Sequence, residues 1–152
     1  AVAPSSEIMY HKLDLGAGAF EVSSVAVGTT HTIIFLDEDM SDEHFQRYSP
    51  LIENHAMFPQ RTTVLWVTRV STDKVKMRIW ERGVGETLAC GTGACAVAVV
   101  GSHLGLTRGR VEVETAGGCL TASWDGSGPA RLTGPARLVF AGETLPADGG
   151  RS

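Results

Sequence analysis

Apolar and polar positions along this chain mark out short strands more often than helices. Residues 8–15 and 19–27 read as strands on either side of a Gly16-Ala17-Gly18 turn, and 32–36 is a β-branched run that reads as a buried strand. After the polar break Asp37-Glu38-Asp39, Ser41 or Asp42 can cap a helix over 42–54 that gathers Phe45, Tyr48, Leu51 and Ile52 on one face. Pro50 inside that stretch predicts a kink or a split. Two further strands, 63–70 and 74–81, are joined by Ser71-Thr72-Asp73. In the second of them Val75, Met77 and Ile79 share one face and Lys74, Lys76 and Arg78 the other. Glu81 falls on the apolar side of this alternation, where a carboxylate must find a partner.

A glycine-containing loop over 82–89 leads into Cys90-Gly91-Thr92-Gly93-Ala94-Cys95-Ala96-Val97-Ala98-Val99-Val100-Gly101-Ser102-His103-Leu104. This run is almost free of charge on every side, so the helix it predicts is a buried central one, ended by Gly105 in the left-handed conformation. The remainder returns to strands. Residues 110–115 alternate with Val111 and Val113 inward, and Gly117-Gly118 marks a hairpin. Leu120, Ala122 and Trp124 alternate on the way back, and short strands are expected near 130–133 and 136–141. Seven or eight short strands and two helices, one of them enclosed, define an α+β fold. A single lobe over 8–142 is expected, with an arm over 1–7 and a loose tail over 143–152.

Composition narrows the class without naming it. At 152 residues, with 43% hydrophobic and 20% charged residues, the chain is one globular domain rather than a disordered or disulfide-framed one. A net charge of −4 with no basic stripe argues against nucleic acid, and no apolar run approaches a membrane span. Three cysteines, Cys90, Cys95 and Cys119, without a secretory signal pattern lead to an expectation of free thiols in a reducing, cytoplasmic setting. A start at Ala1 without Met is expected of a piece of a longer protein.

The best candidate for chemistry lies between Glu81 and Cys95. Cys90 stands at the first turn of the predicted central helix, where the leading amide N–H groups have no intrahelical partner and the dipole adds positive charge. That setting suits a thiolate, the useful form of cysteine. Gly91 and Gly93 admit a ligand close to the backbone, and the same amides can hold a carboxylate. One helical turn would then combine a base with an anion cradle. An amino acid fits both, because removing its Cα–H builds negative charge that donors at the carboxylate stabilise.

Several other readings compete for these residues. A cysteine near a helix start is commonly a small packing residue. Cys90 and Cys95 could form part of a zinc site, although their spacing is unusual and no second pair matches. A thiol paired with His31, His44, His55 or His103 is open, as is a phosphate cradle at Gly91-Thr92-Gly93. Glu81 and Arg82 could be a structural ion pair, and Cys95 and Cys119 packing residues.

The run Arg78-Ile79-Trp80-Glu81-Arg82-Gly83-Val84-Gly85-Glu86-Thr87-Leu88-Ala89-Cys90-Gly91-Thr92-Gly93-Ala94-Cys95-Ala96 resembles the signature of the diaminopimelate epimerase family. Val27-Gly28-Thr29-Thr30-His31, Phe58-Pro59-Gln60-Arg61 and Leu132-Thr133-Gly134-Pro135-Ala136 fall at matching places in order, so the resemblance covers residues 8–142. It implies a lobe made of a mostly antiparallel sheet wrapped around a central helix. It also implies racemisation or epimerisation of an amino acid without pyridoxal phosphate, any other cofactor or a metal, by two cysteines acting on opposite faces of Cα. Cys90 matches the catalytic cysteine of the C-terminal lobe. Gly91 and Thr92 match the amides that bind the α-carboxylate, and Glu81 and Arg82 match substrate-binding positions.

Only the C-terminal lobe is represented, so the second cysteine is expected from a separate N-terminal-lobe chain in a heterodimer or larger assembly. A cleaved or truncated true diaminopimelate epimerase is the alternative, and a non-catalytic amino-acid-binding remnant is a further one. Where the family carries Asn to grip the distal end of diaminopimelate, this chain carries Thr29 and Thr63. A threonine offers one hydroxyl in place of a carbonyl and an amide, so a different amino acid is expected as substrate.

Overall fold

The structure, a computed structural model, describes residues 5–16 and 18–143. The elements in order are β1 (Ser5–Asp14), β2 (Ala19–Val27), β3 (Thr29–Leu36), α1 (Asp42–Glu53), β4 (Thr63–Arg69) and β5 (Lys74–Glu81). There follow β6 (Gly85–Thr87), α2 (Gly91–His103), β7 (Arg110–Thr115), β8 (Gly118–Ser123) and β9 (Arg131–Thr133). Nine strands form one sheet in the order β1-β2-β3-β4-β5-β7-β8-β9, with β6 paired to β5. The pairings are antiparallel except for β3 with β4 and β5 with β7. The architecture is α+β, as expected.

Both faces of the sheet centre are covered, which explains why β4 reads as a continuous apolar run rather than an alternating one. Its Leu65 and Val67 join the cluster around α2, while Val64 and Trp66 join the one around α1. Adjacent Ile33 and Ile34 divide in the same way on β3. In β5 the observed parity is the expected one, with Val75, Met77 and Ile79 turned toward α2.

Helix α2 is enclosed. Every residue from 93 to 101 is buried, and the helix packs on β2, β3, β4, β7, β8 and β9. Near its C-terminal end it packs closely on the following turn: a Cβ on Gly101 would lie 2.5 Å from Thr107 Oγ1, and Gly105 leaves the helix at φ +67°. Helix α1 lies on the other face and buries Phe45, Tyr48, Ser49, Ile52 and Glu53.

Several expectations are corrected. Leu51 is 45% exposed rather than inward, because the buried stripe runs through 45, 48, 49, 52 and 53 at helical spacing and leaves position 51 on its flank. The helix continues through Pro50 without a break. Part of the loop over 82–89 is strand β6, held to β5 by the pairs Ile79↔Thr87, Trp80↔Glu86 and Glu81↔Gly85. The first strand begins at Ser5, inside the segment read as an arm, and β3 begins at Thr29.

No strand forms over 136–141. Leu138, Val139 and Phe140 are 87%, 83% and 83% exposed, since their backbone meets no sheet edge among the described residues. Residues 1–4 of the expected arm, Ala17 of the first turn and residues 144–152 of the tail lie outside the described residues. No helix among the described residues is long and apolar enough to cross a membrane.

Candidate active site

Cys90 is the N-cap of α2, in an extended conformation at φ −141° and ψ 107°, and its Sγ accepts the Gly93 amide N–H at 3.3 Å. The helix starts here because Gly91-Thr92-Gly93 leaves the first turn slim enough to sit under the sheet. A Cβ at Gly93 would press at 3.2 Å on Cys90 Sγ and on Leu65, and one at Gly91 would meet Leu132 Cδ2 at 2.8 Å. Gly91 and Thr92 occupy the first helical positions, whose amides have no partner four residues back.

A cavity of about 810 Å³ opens at this end of α2. Glu81, Cys90, Gly91 and Thr92 line it together, with Val27, Cys95 and residues 130–133 completing the wall. Glu81 arrives as the inward alternation of β5 predicts, and its Oε1 accepts the Thr87 hydroxyl at 2.8 Å. The outward residue of the same short strand, Glu86, pairs with Arg78 at 2.7 Å. β6 is thus anchored outside while its inner side aims the Glu81 carboxylate.

His31 lies behind the cysteine. Its ring is fully buried, with Nε2 4.0 Å from Cys90 Sγ and 3.2 Å from Thr92 Oγ1, which itself stands 3.6 Å from the sulfur. Burial lowers the His31 pKa to about 4, and the Arg82 charge pushes in the same direction. The Thr29 backbone pulls it partly back, although Nδ1 closes no well-formed hydrogen bond. The imidazole is therefore neutral near pH 7. It can exchange a hydrogen bond with Thr92 without placing a second cation in the site.

The remaining expected site residues surround this centre without lining the cavity. Thr29 follows the Gly28 hairpin tip, which faces Thr92, since a Cβ on Gly28 would lie 3.8 Å from Thr92 Cγ2; the Thr29 hydroxyl is buried with no partner among the described residues. Thr63 Oγ1 accepts the Arg82 amide at 3.2 Å, and the exposed Arg82 guanidinium donates to the Gln60 carbonyl at 3.1 Å. Among the described residues Glu81 and Arg82 do not form the structural ion pair: Glu81 ends β5 and accepts from Thr87, whereas Arg82 opens the following turn and donates to Gln60.

All three cysteines are free. Cys95 is buried yet reaches the cavity wall, and burial raises its thiol pKa, the nearby Cys90 adding to the effect. His31, Thr87 and the β9 wall were not assigned to the site from sequence. The first was one of four unplaced histidines, and the others belong to matching runs whose spatial convergence only the fold supplies.

Residues 23–139 match the protein family described as Diaminopimelate epimerase. A diaminopimelate epimerase of Desulforudis audaxviator is 45% identical over 145 residues, covering 95% of this chain and 52% of the relative. One from Pelotomaculum thermopropionicum is 40% identical over 140 residues, covering 92% of this chain and 50% of that protein. The chain thus spans about half the length of these relatives. A phenazine biosynthesis protein of the PhzF family from Enterococcus faecalis shares the fold, with a TM-score of 0.51 at 12% identity over 82% of this chain and 41% of that one. With a matched segment that holds Glu81, Cys90 and His31 alike, the chain belongs to the diaminopimelate epimerase family.

Proposed function

We propose that this chain supplies the C-terminal-lobe half of a diaminopimelate epimerase active site. The observation that carries the reading is the cap of α2: a sulfur, two unpaired helical amides and a carboxylate share one open cavity. In this scheme the Cys90 thiolate takes the proton from Cα on one face, forming the S–H bond as the C–H bond breaks. The electron pair passes from Cα into the α-carboxylate, where the Gly91 and Thr92 amides oppose the added charge. A thiol from the complementary half then protonates Cα on the other face, leaving its own sulfur anionic. Glu81, aimed by Thr87, meets the α-ammonium group. Cys95 is a poor second base because it stands on the same helix and the same side of the cavity as Cys90.

The complementary half is an N-terminal lobe, carried by the rest of a longer chain or by a separate subunit. The open cavity mouth and the exposed Leu132, Leu138, Val139 and Phe140 supply apolar surface for it. Diaminopimelate is the substrate favoured by the names of relatives at 40–45% identity. A second reading, another amino acid handled by a heteromeric enzyme, draws on Thr29 and Thr63. One hydroxyl has no partner among the described residues and the other already accepts from the Arg82 amide.

The experiment is Cα–H exchange in heavy water, with this chain joined to its complementary half. Wild type exchanges diaminopimelate, the lone chain does not, and Cys90→Ala loses at least about 10³-fold while keeping the fold. Exchange by Cys90→Ala at the wild-type rate would remove the sulfur from the mechanism. Faster exchange of another diamino acid would decide for the second reading.

A further inference from the structure

The last residue of α1 carries a carboxylate that the proposed chemistry does not use. Glu53 is 5% exposed, and an ionised group so placed needs donors around it. Three converge on it: the Trp80 indole donates to Oε2 at 2.7 Å, the Gly83 amide to Oε1 at 2.7 Å, and Arg61 Nη1 to Oε1 at 3.2 Å. They come from β5, from the turn between β5 and β6, and from the segment before β4. Helix α1 is joined through this one side chain to both segments.

The same two segments hold Arg82. Its amide is fixed by Thr63 and its guanidinium by the Gln60 carbonyl, so its anchors flank Arg61 and Thr62. Gly83, the next residue, is the one whose amide Glu53 takes. Two backbone features show that the junction is tightly specified. Arg61 adopts φ +60°, a conformation uncommon outside glycine, with its side chain folded onto Glu53. Gly83 adopts φ +77°, and a Cβ there would lie 3.3 Å from Arg61 Nη2.

We propose that Glu53 is a positioning residue for substrate recognition: it clasps the 80–83 segment to the 60–62 segment and so sets the place of Glu81 in the cavity and of Arg82 beside it. Its kinetic consequence rests on the epimerase reading, whereas the clasp can be measured on the chain alone. The test is Glu53→Gln, which keeps the shape but removes the charge that strengthens all three bonds and leaves one acceptor oxygen, so that an NH2 able only to donate faces either the Trp80 indole or the Gly83 and Arg61 donors. In the lone chain, NMR hydrogen exchange at the Gly83 amide should accelerate at least about tenfold and the Trp80 indole resonance should move, while the amides of α2 keep their protection.

In the enzyme completed with its other half, KM should rise about tenfold with kcat within about twofold, the pattern of lost binding rather than lost chemistry. Adding Arg82→Ala to Glu53→Gln should cost less than it does in wild type, because the two hold the same pair of segments together. Unchanged Gly83 exchange, strictly additive costs, or a loss confined to kcat would overturn the proposal. If Glu53→Gln strips protection from α2 as well, Arg61→Gln decides: the same local pattern at smaller size supports the clasp, and an unaltered Gly83 refutes it. Absence of Cα–H exchange in the completed wild type would defeat the epimerase reading and leave the Gly83 result to judge the clasp.

Discussion

The two helices of this lobe are capped in the same way and used differently. Ser41 Oγ accepts the His44 amide at 3.3 Å at the start of α1, and Cys90 Sγ accepts the Gly93 amide at 3.3 Å at the start of α2. A hydroxyl is a good acceptor and a sulfur a weak one. Helix α1 keeps one side in water, where its polar residues form ion pairs such as Asp42 with Arg78. Helix α2 is buried all round from Gly93 to Gly101, and the residues of its first turn line the cavity. Enclosing a helix concentrates its unsatisfied polar groups at a terminus. Placing a sulfur there exchanges some capping strength for the base that the proposed reaction needs.

The contrast can be broken at several points. The largest effect is expected inside α2. Ala98→Asp puts a carboxylate where the wild-type side chain has no exposed surface, and should cost more than about 4 kcal/mol, leaving no folded baseline in urea titration. A cooperative transition near the wild-type midpoint would mean that α2 is not enclosed in solution.

Next is the pole beside Cys90. His31 has a pKa of about 4 in the fold against 6.5 unfolded, so the fold prefers the neutral ring. Its contribution is fully present above about pH 6.5 and is lost as pH falls toward 4, because the unfolded chain takes up the proton first. Between pH 7 and 4.5 this amounts to about 2 kcal/mol, which His31→Gln should remove from the pH dependence of chemical denaturation. An identical acid slope in that variant would place the titration elsewhere.

The smallest effect compares the caps directly. Ser41→Ala should lose about 1 kcal/mol, whereas Cys90→Ser should hold stability or raise it by up to about 1 kcal/mol while abolishing Cα–H exchange. Thermal melting of the two variants reads the difference. A Cys90→Ser protein markedly less stable than wild type would assign the sulfur to packing.

How much was legible follows from how local each feature is. The inward parity of Val75, Met77 and Ile79, extended by one step to Glu81, put a carboxylate on the inward side from alternation alone, and the fold opens the cavity there. The uncharged run from 93 to 101 foretold an enclosed helix, and the small residues around Cys90 foretold a cap open to a ligand. The inward assignment of Leu51 failed because helical spacing admits neighbouring stripes, and only packing against β4 selects among them. The expected strand over 136–141 has the right pattern but lacks an edge to pair with, and pairing is never a property of one segment.

The chain of residues alone determined the fold class and the family and singled out Cys90 as the candidate sulfur, because periodicity, glycine placement and the long Glu81-to-Cys95 run are written within short stretches. Only the tertiary structure decided that His31 backs that sulfur, that Thr87 aims Glu81, that Arg82 turns from the cavity toward Gln60, and that Glu53 ties two loops together. These contacts join residues six to fifty-nine positions apart. Their free energies depend on burial and direction, which exist only once the sheet has curled around α2.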